Sequence, residues 1–467
     1  MRLPFVGLTL CWSWVATILA DTSSSDVHVI ILVLNQPTSF HHQQTKAFRQ
    51  RIADQLLPEH LSVEVLTTAD DFEDTFGSWA VWPVMSKLLP ARDSFRWVFV
   101  CQEDTIVNLR VLGEYLKSVD HFQPHFIGHG LYDLDAVVIH HYAFAGKDPT
   151  KFKYPHLASG VLLSRPAVEK LVKIVTSGKR KINFIIDPKH ELAMMLSEGA
   201  GLQLRTDPLF CLSPDPKCVS YPSLKEYSCK SQEPSNITSD NVFFAIKTCY
   251  KYHKTRVVVV KRTWGLDARL SEYYSDHEDP YIPTHVFPSI NNTERGHCGK
   301  TFAILKRFVA KTVAGADVQW LVVADDDTLI SVSRLIAMLQ CYDPTESIIL
   351  GERYGYGFTA EGSGGYDYPT GGAGMIFSRA GAESLLSECR CPQPDSPDDM
   401  IIGMCARNLG IPILHSPALH QARPQDYSPD YLLYPRPISF HKHWECDPYK
   451  IYKDWLMDTR PKHKEEL

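Results

Sequence analysis

Buried strand-like runs separated by amphipathic stretches pattern this chain, and the pattern occurs twice. Val29 to Leu34 is a continuous apolar run behind a polar lead, and Val242 to Ile246 repeats it. Short unbroken apolar runs suit strands covered on both faces, as in a parallel sheet packed between helices. Ser78 to Leu89 and Thr301 to Val313 carry apolar residues at helical spacing. Each precedes a second apolar run, one opening at Trp97 and the other at Trp320. Alternating strand and helix predicts an α/β fold. Val257 to Val260 stays ambiguous. Four valines favour a strand by propensity, whereas the flanking Arg256, Lys261 and Arg262 suit an amphipathic helix.

The two halves align residue by residue. Tyr154-Pro-His-Leu-Ala-Ser-Gly-Val-Leu-Leu-Ser-Arg165 lies over Tyr368-Pro-Thr-Gly-Gly-Ala-Gly-Met-Ile-Phe-Ser-Arg379. Trp97-Val-Phe-Val-Cys-Gln-Glu-Asp-Thr-Ile106 lies over Trp320-Leu-Val-Val-Ala-Asp-Asp-Asp-Thr-Leu329. Paired segments in the same order predict a duplicated domain, not a short-period solenoid. The expected boundaries are a first domain over 27–212, a linker over 213–239 rich in Pro, Ser and Lys, and a second domain over 240–446. A tail covers 447–467.

The two copies differ where chemistry would occur. The first has Gln102-Glu103-Asp104 against Asp325-Asp326-Asp327, and Leu157-Ala158-Ser159 against Gly371-Gly372-Ala373. Loss of a carboxylate and of the glycines predicts a degenerate first copy that serves structure or acceptor recognition. A surviving metal site at Glu103 and Asp104 is the alternative, since carboxylate sites tolerate ligand variation.

The triplet ends an apolar run, at the sheet edge where α/β proteins bind ligands. Three adjacent acids repel one another unless a cation lies between them. Side chains two apart on extended backbone share a face. Asp325 and Asp327 are therefore predicted to meet at one site, with Asp326 turned away. A hard divalent ion, Mn²⁺ or Mg²⁺, would bind such carboxylates together with a diphosphate. Gly371-Gly-Ala-Gly374 follows the loop from Gly355 to Tyr368 and reads as a stretch of backbone close to substrate. Ser396-Pro-Asp-Asp reads as a helix start with Ser396 at the N-cap and Pro397 at the first turn. Asp398 would cap that helix and leave Asp399 as candidate general base. His420, His441 and His443 are candidate imidazole ligands near the end of the second domain.

At 467 residues, 44% hydrophobic and 22% charged, the chain is globular and large enough for two domains. A net charge of -6 excludes a general attraction to nucleic acid. Arg2 followed by apolar Leu3 to Ala20 reads as a targeting segment over residues 1–20, either a cleaved signal or a retained anchor. Lys464-Glu-Glu-Leu467 is close to an endoplasmic-reticulum retrieval tail, which implies a retrieval receptor as a partner. Cysteine use agrees with an oxidising lumen. Eleven cysteines remain after Cys11, so at least one is unpaired, and Cys101 in its apolar run is the candidate. Cys389 and Cys391 are too close to bond to each other. Asn236 and Asn291 open N-glycosylation sequons.

Together these segments resemble the fringe-type β-1,3-glycosyltransferases. The resemblance rests on Arg262-Thr-Trp264, the acidic triplet, Gly-Gly-Ala-Gly with Ser378-Arg379, and Pro-Asp-Asp with Gly403, in that order. It implies two tandem GT-A-like, Rossmann-related domains and an inverting, Mn²⁺-dependent transfer from a UDP-sugar. It assigns metal ligation to Asp325 and Asp327 with His441, His420 and His443 standing behind as alternatives. It assigns donor binding to Arg262, Trp264, Asp325, Asp326, Gly371, Gly372 and Gly374, and the base to Asp399. Within the family, the chain is similar to members of the endoplasmic reticulum that use UDP-glucose. Those members extend O-linked fucose on folded thrombospondin type 1 repeats. A luminal lectin or chaperone built on inactive domains is the rival reading, and turnover of UDP-glucose separates the two.

Overall fold

The computed structural model describes residues 27–458 apart from 93, 144–145, 179–182, 225–228, 230–236, 291–292, 294–295, 311–317 and 360–363. The targeting segment, the retrieval tail, Asn236 and Asn291 lie outside the described residues.

Two mixed sheets organise this α/β fold. In the first, the buried strand Val27–Leu34 lies between parallel strands Leu61–Thr67 and Trp97–Gln102. Val161–Ser164 then adds antiparallel, followed by Phe126–Gly128 and the edge strand Arg205–Thr206. In the second, Val242–Lys247 lies between parallel strands Leu270–Ser275 and Trp320–Asp325. Met375–Ser378 adds antiparallel, followed by Ile349–Gly351 and Ile413–His415. Strand order and strand sense are the same in both sheets, and the second carries one further edge strand, Thr284–Val286. Trp97 and Trp320 occupy equivalent, fully buried positions.

The helical readings hold with shifted ends. Ser78–Ala80 is a 3₁₀ turn leading into the helix Trp82–Ala91, and the other helix spans Cys298–Val309. The ambiguous valines form the helix Arg256–Arg262. Packing outweighs β-propensity there, because Val257 and Val260 face the core one turn apart and are fully buried.

Three expectations need correction. Residues 213–239 are not a simple linker. Ser220–Pro222 pairs antiparallel with Thr105–Val107, and Cys211–Cys218 closes the turn before it. Residues from 447 are not all tail, since the helix Pro448–Ile451 leads to Asp458, which is clamped by Arg334 at 2.9 Å. The segment from Gly355 to Tyr368 is not all loop, because Arg353–Tyr356 and Tyr366–Pro369 pair as a hairpin.

The halves are joined directly. Phe184–Ile185 of the first adds to the hairpin strand Arg353–Tyr356 of the second. Trp79 Nε1 donates to Asp367 Oδ1 at 2.9 Å, and Cys229 is bonded to Cys341. Cys389 pairs with Cys405 and Cys391 with Cys298, so neither bonds the other, and Cys101 is a buried free thiol.

Candidate active site

The site forms where the central strands of the second sheet end. Lys247 and Asp325 are register partners on neighbouring parallel strands. Lys247 Nζ lies 3.2 Å from Asp325 Oδ1 and 2.8 Å from Asp398 Oδ2. A buried ammonium thus joins the acidic strand end to the helix Asp398–Leu409. Asp398 also accepts from Thr301 Oγ1 at 2.6 Å. Burial would raise its pKa, but the Lys247 charge and these hydrogen bonds hold it down to about 2. Asp398 therefore does not cap its helix. The helix begins one residue later than expected, with Pro397 at the N-cap position and no side-chain cap.

The triplet splits as its alternation predicts. Asp325, Asp327 and His441 bring one ligand atom each to within 4.8 Å of one another. His441 arrives because Ser439–His441 pairs antiparallel with Thr328–Ile330, which sets Thr328 opposite His441. Its Nδ1–H donates to the Gln421 carbonyl at 3.0 Å, while Nε2 faces Asp327 Oδ1 at 3.1 Å. The carbonyl contact fixes the ring and aims Nε2 into the cluster. Burial opposes charge on both partners. The Asp327 hydrogen bond and the Asp327 and Asp325 charges nevertheless raise His441, and His441 with Arg256 holds Asp327 low. Two carboxylates and an oriented imidazole are a donor set that suits Mn²⁺, and the residues present fit such an ion.

Asp326 turns inward, accepting from Thr248 Oγ1 at 2.7 Å and Arg256 Nη1 at 3.2 Å. Asp326 thereby supports the site through Thr248 and Arg256. Arg256 Nη1 also reaches Asp327 Oδ2 at 3.0 Å. Arg262, which the motif singled out, is exposed and lies six residues further along the same helix, about 9 Å away. Arg256 is the guanidinium that enters the site. Trp264 is fully buried and its Nε1 donates to the Thr328 carbonyl at 2.9 Å. It supports the strand that carries His441's partner and offers no face to a nucleotide.

Among the alternative histidines, His420 is excluded. Its ring stacks on Phe440 with centroids 4.9 Å apart, outside the acidic cluster, and burial pushes its pKa down to about 3. His443 stays nearby. Its Nε2 is buried without a hydrogen-bond partner among the described residues, and burial lowers its pKa to about 4.

The glycines act unequally. A Cβ on Gly372 would lie 2.3 Å from His441 Nδ1, so only glycine lets the backbone pass behind the His441 ring. Gly374 has φ +96°, a conformation that disfavours a side chain. A Cβ on Gly371 would meet nothing within 4 Å.

Asp399 is half-buried at the start of the helix Asp398–Leu409. Burial, then the Asp398 charge, raises its pKa to about 6. A carboxylate at that value is ionised at neutral pH yet basic enough to take a proton. Sequence reasoning missed Lys247, Arg256 and Lys300. Lys300 donates to the Thr248 carbonyl at 2.7 Å beside this cluster. The only sequence signal for Lys247 is a charge ending an otherwise apolar strand.

Two carboxylates and an imidazole thus converge at the edge of the second sheet, with a carboxylate of raised pKa nearby. The chain belongs to the Fringe-like family, matched over residues 35–188 and 237–462. It is 43% identical over 441 residues to the mouse beta-1,3-glucosyltransferase, covering 92% of this chain and 87% of that protein. The human beta-1,3-glucosyltransferase is 43% identical over 436 residues, with 92% and 85% covered. The fruit-fly fringe glycosyltransferase is 26% identical over 161 residues, with 32% and 39% covered.

Proposed function

We propose that this protein is a β-1,3-glucosyltransferase that moves glucose from UDP-glucose to the 3-hydroxyl of O-linked fucose on thrombospondin type 1 repeats. The observation that carries the reading is the convergence of Asp325, Asp327 and His441, with Asp399 close enough to feel the charges of Asp325 and Lys247. Asp325, Asp327 and His441 would hold Mn²⁺, or Mg²⁺ in its place, and such an ion would supply positive charge beside the departing diphosphate. Lys247 holds Asp325 and Asp398 in place, and Arg256 holds Asp326 and Asp327. Asp399 takes the proton from the fucose hydroxyl as that oxygen bonds to the glucose anomeric carbon and the bond to UDP breaks. One displacement inverts the configuration at that carbon.

The first half is a duplicated, degenerate copy that helps grip the folded acceptor. Its Glu103 is engaged with His41, and neither Glu103 nor Asp104 joins a three-ligand group among the described residues. The protein works in the endoplasmic reticulum lumen. No helix among the described residues is long and apolar enough to cross a membrane. The deciding experiment measures UDP release with Mn²⁺ and a fucosylated repeat. Turnover that needs both the repeat and the ion supports the proposal. Binding of repeat or sugar without UDP release supports the lectin reading instead.

A further inference from the structure

The first half carries a chamber that the transfer reaction does not use. A cavity of about 900 Å³ lies between the halves, against the C-terminal ends of the first sheet's central strands. By strand order, that edge corresponds to the one bearing the acidic cluster in the second sheet. Leu34 and Gln102 end neighbouring strands in register there. Gln44, Arg51, Glu103, Asp104 and Tyr221 continue the wall.

The polar groups in this wall are not all committed to the fold. Glu103 Oε1 accepts from His41 Nδ1, but Glu103 Oε2 is buried without a hydrogen-bond partner among the described residues. No neighbouring side chain hydrogen-bonds to the Asp104 carboxyl among the described residues. Arg51 donates one Nη to the Glu103 carbonyl and has further N–H groups to offer.

Charge decides the ligand class. Glu103, Asp104, Asp187 and Glu352 face three fixed cations, Arg51, Lys189 and Arg353. Lys189 is already held by Asp187 at 3.0 Å. Arg353 Nη1 donates to Gln36 Oε1 and to the Ile413 carbonyl, each at 3.3 Å, so Lys189 and Arg353 are engaged by protein acceptors and Arg51 stands between Glu103 and Asp104, an arrangement that does not clamp a diphosphate or an acidic sugar. It does offer carboxylates and amides for hydroxyl groups, a guanidinium donor, and the Phe40 and Tyr221 rings for the apolar face of a pyranose. Its volume lies within the range of small-ligand sites.

We infer that this cavity binds an uncharged saccharide, independently of the transfer site. Burial and the Glu103 charge raise the Asp104 carboxyl to about 7, so near neutral pH it both donates to and accepts from hydroxyl groups.

Saturation-transfer NMR on the full chain tests the inference without reference to turnover. The probes are the methyl glycosides of glucose, galactose, mannose and fucose, and the disaccharide glucosyl-β-1,3-fucose. The parent is compared with Asp327→Ala and with the double variant Glu103→Gln, Asp104→Asn. At least one probe should give a signal that survives Asp327→Ala and weakens about tenfold in affinity in the double variant. Circular dichroism and melting temperature should stay at parental values. The inference is overturned if no probe gives a signal, if the signal depends on Asp327 and ignores the double variant, or if UDP displaces the sugar from Asp327→Ala. Competition by a glycoprotein carrying the responsive sugar supports a protein-borne ligand, and competition by the free glycoside alone supports a free one.

Discussion

Lys247 and Asp325 face each other at the ends of adjacent parallel strands, with Nζ 3.2 Å from Oδ1. The same Nζ reaches Asp398 at 2.8 Å, so one buried cation ties the acidic strand end to the helix that presents Asp399. Replacing Lys247 by Met would leave two carboxylates without their counter-charge. The expected cost is about 3–5 kcal/mol of stability, read from a denaturant midpoint. A variant as stable as the parent would show that the ammonium is dispensable to the fold.

Gly372→Ala should act through His441. The added carbon would sit 2.3 Å from His441 Nδ1, so the ring must move and Nε2 loses its aim. Mn²⁺ affinity in a titration should fall about 10–100-fold, as when an outer-shell support is lost. Gly371→Ala is the control, because its methyl would meet nothing within 4 Å.

Asp399 sets a pH dependence. Its folded pKa is raised to about 6, and only the ionised form accepts a proton. The parent should therefore hold its rate above pH 6 and lose about tenfold per unit well below it. Asp399→Asn should lower kcat about 10²-fold or more and abolish that limb of the profile. If the acid limb persists unchanged in the variant, the titration belongs to another group.

The two acidic strand ends should respond differently to neutralisation. Asp327→Ala should abolish Mn²⁺-dependent transfer to a small fucoside acceptor, as should a chelator in the parent. Asp104→Ala should leave that rate within about twofold, since Asp104 lies at the other sheet. Collapse of the rate in a well-folded Asp104→Ala protein would restore a metal role to the first half.

Much of this architecture is legible in the sequence because it is periodic. The twin apolar runs and the Tyr-Pro…Ser-Arg segments anticipate two sheets of equal strand order. The alternation of Asp325 and Asp327 anticipates their convergence. What the chain order hides is contact between distant segments. Lys247 is paired with Asp398, Arg256 with Asp326 and Asp327, and Gly372 with His441, through sheet register and packing. Trp264 misleads because a motif residue is as readily a buried support as a ligand contact. The helix at Val257 to Val260 is undecided in the sequence because local propensity and tertiary burial point in opposite directions.

The first half's Phe184–Ile185 lies as a strand beside the second half's hairpin, and a disulfide joins Cys229 to Cys341. Such stitching restrains any hinge between the two halves. Under the proposed function, a folded acceptor would then meet a rigid template, and its shape would be read without the halves closing around it.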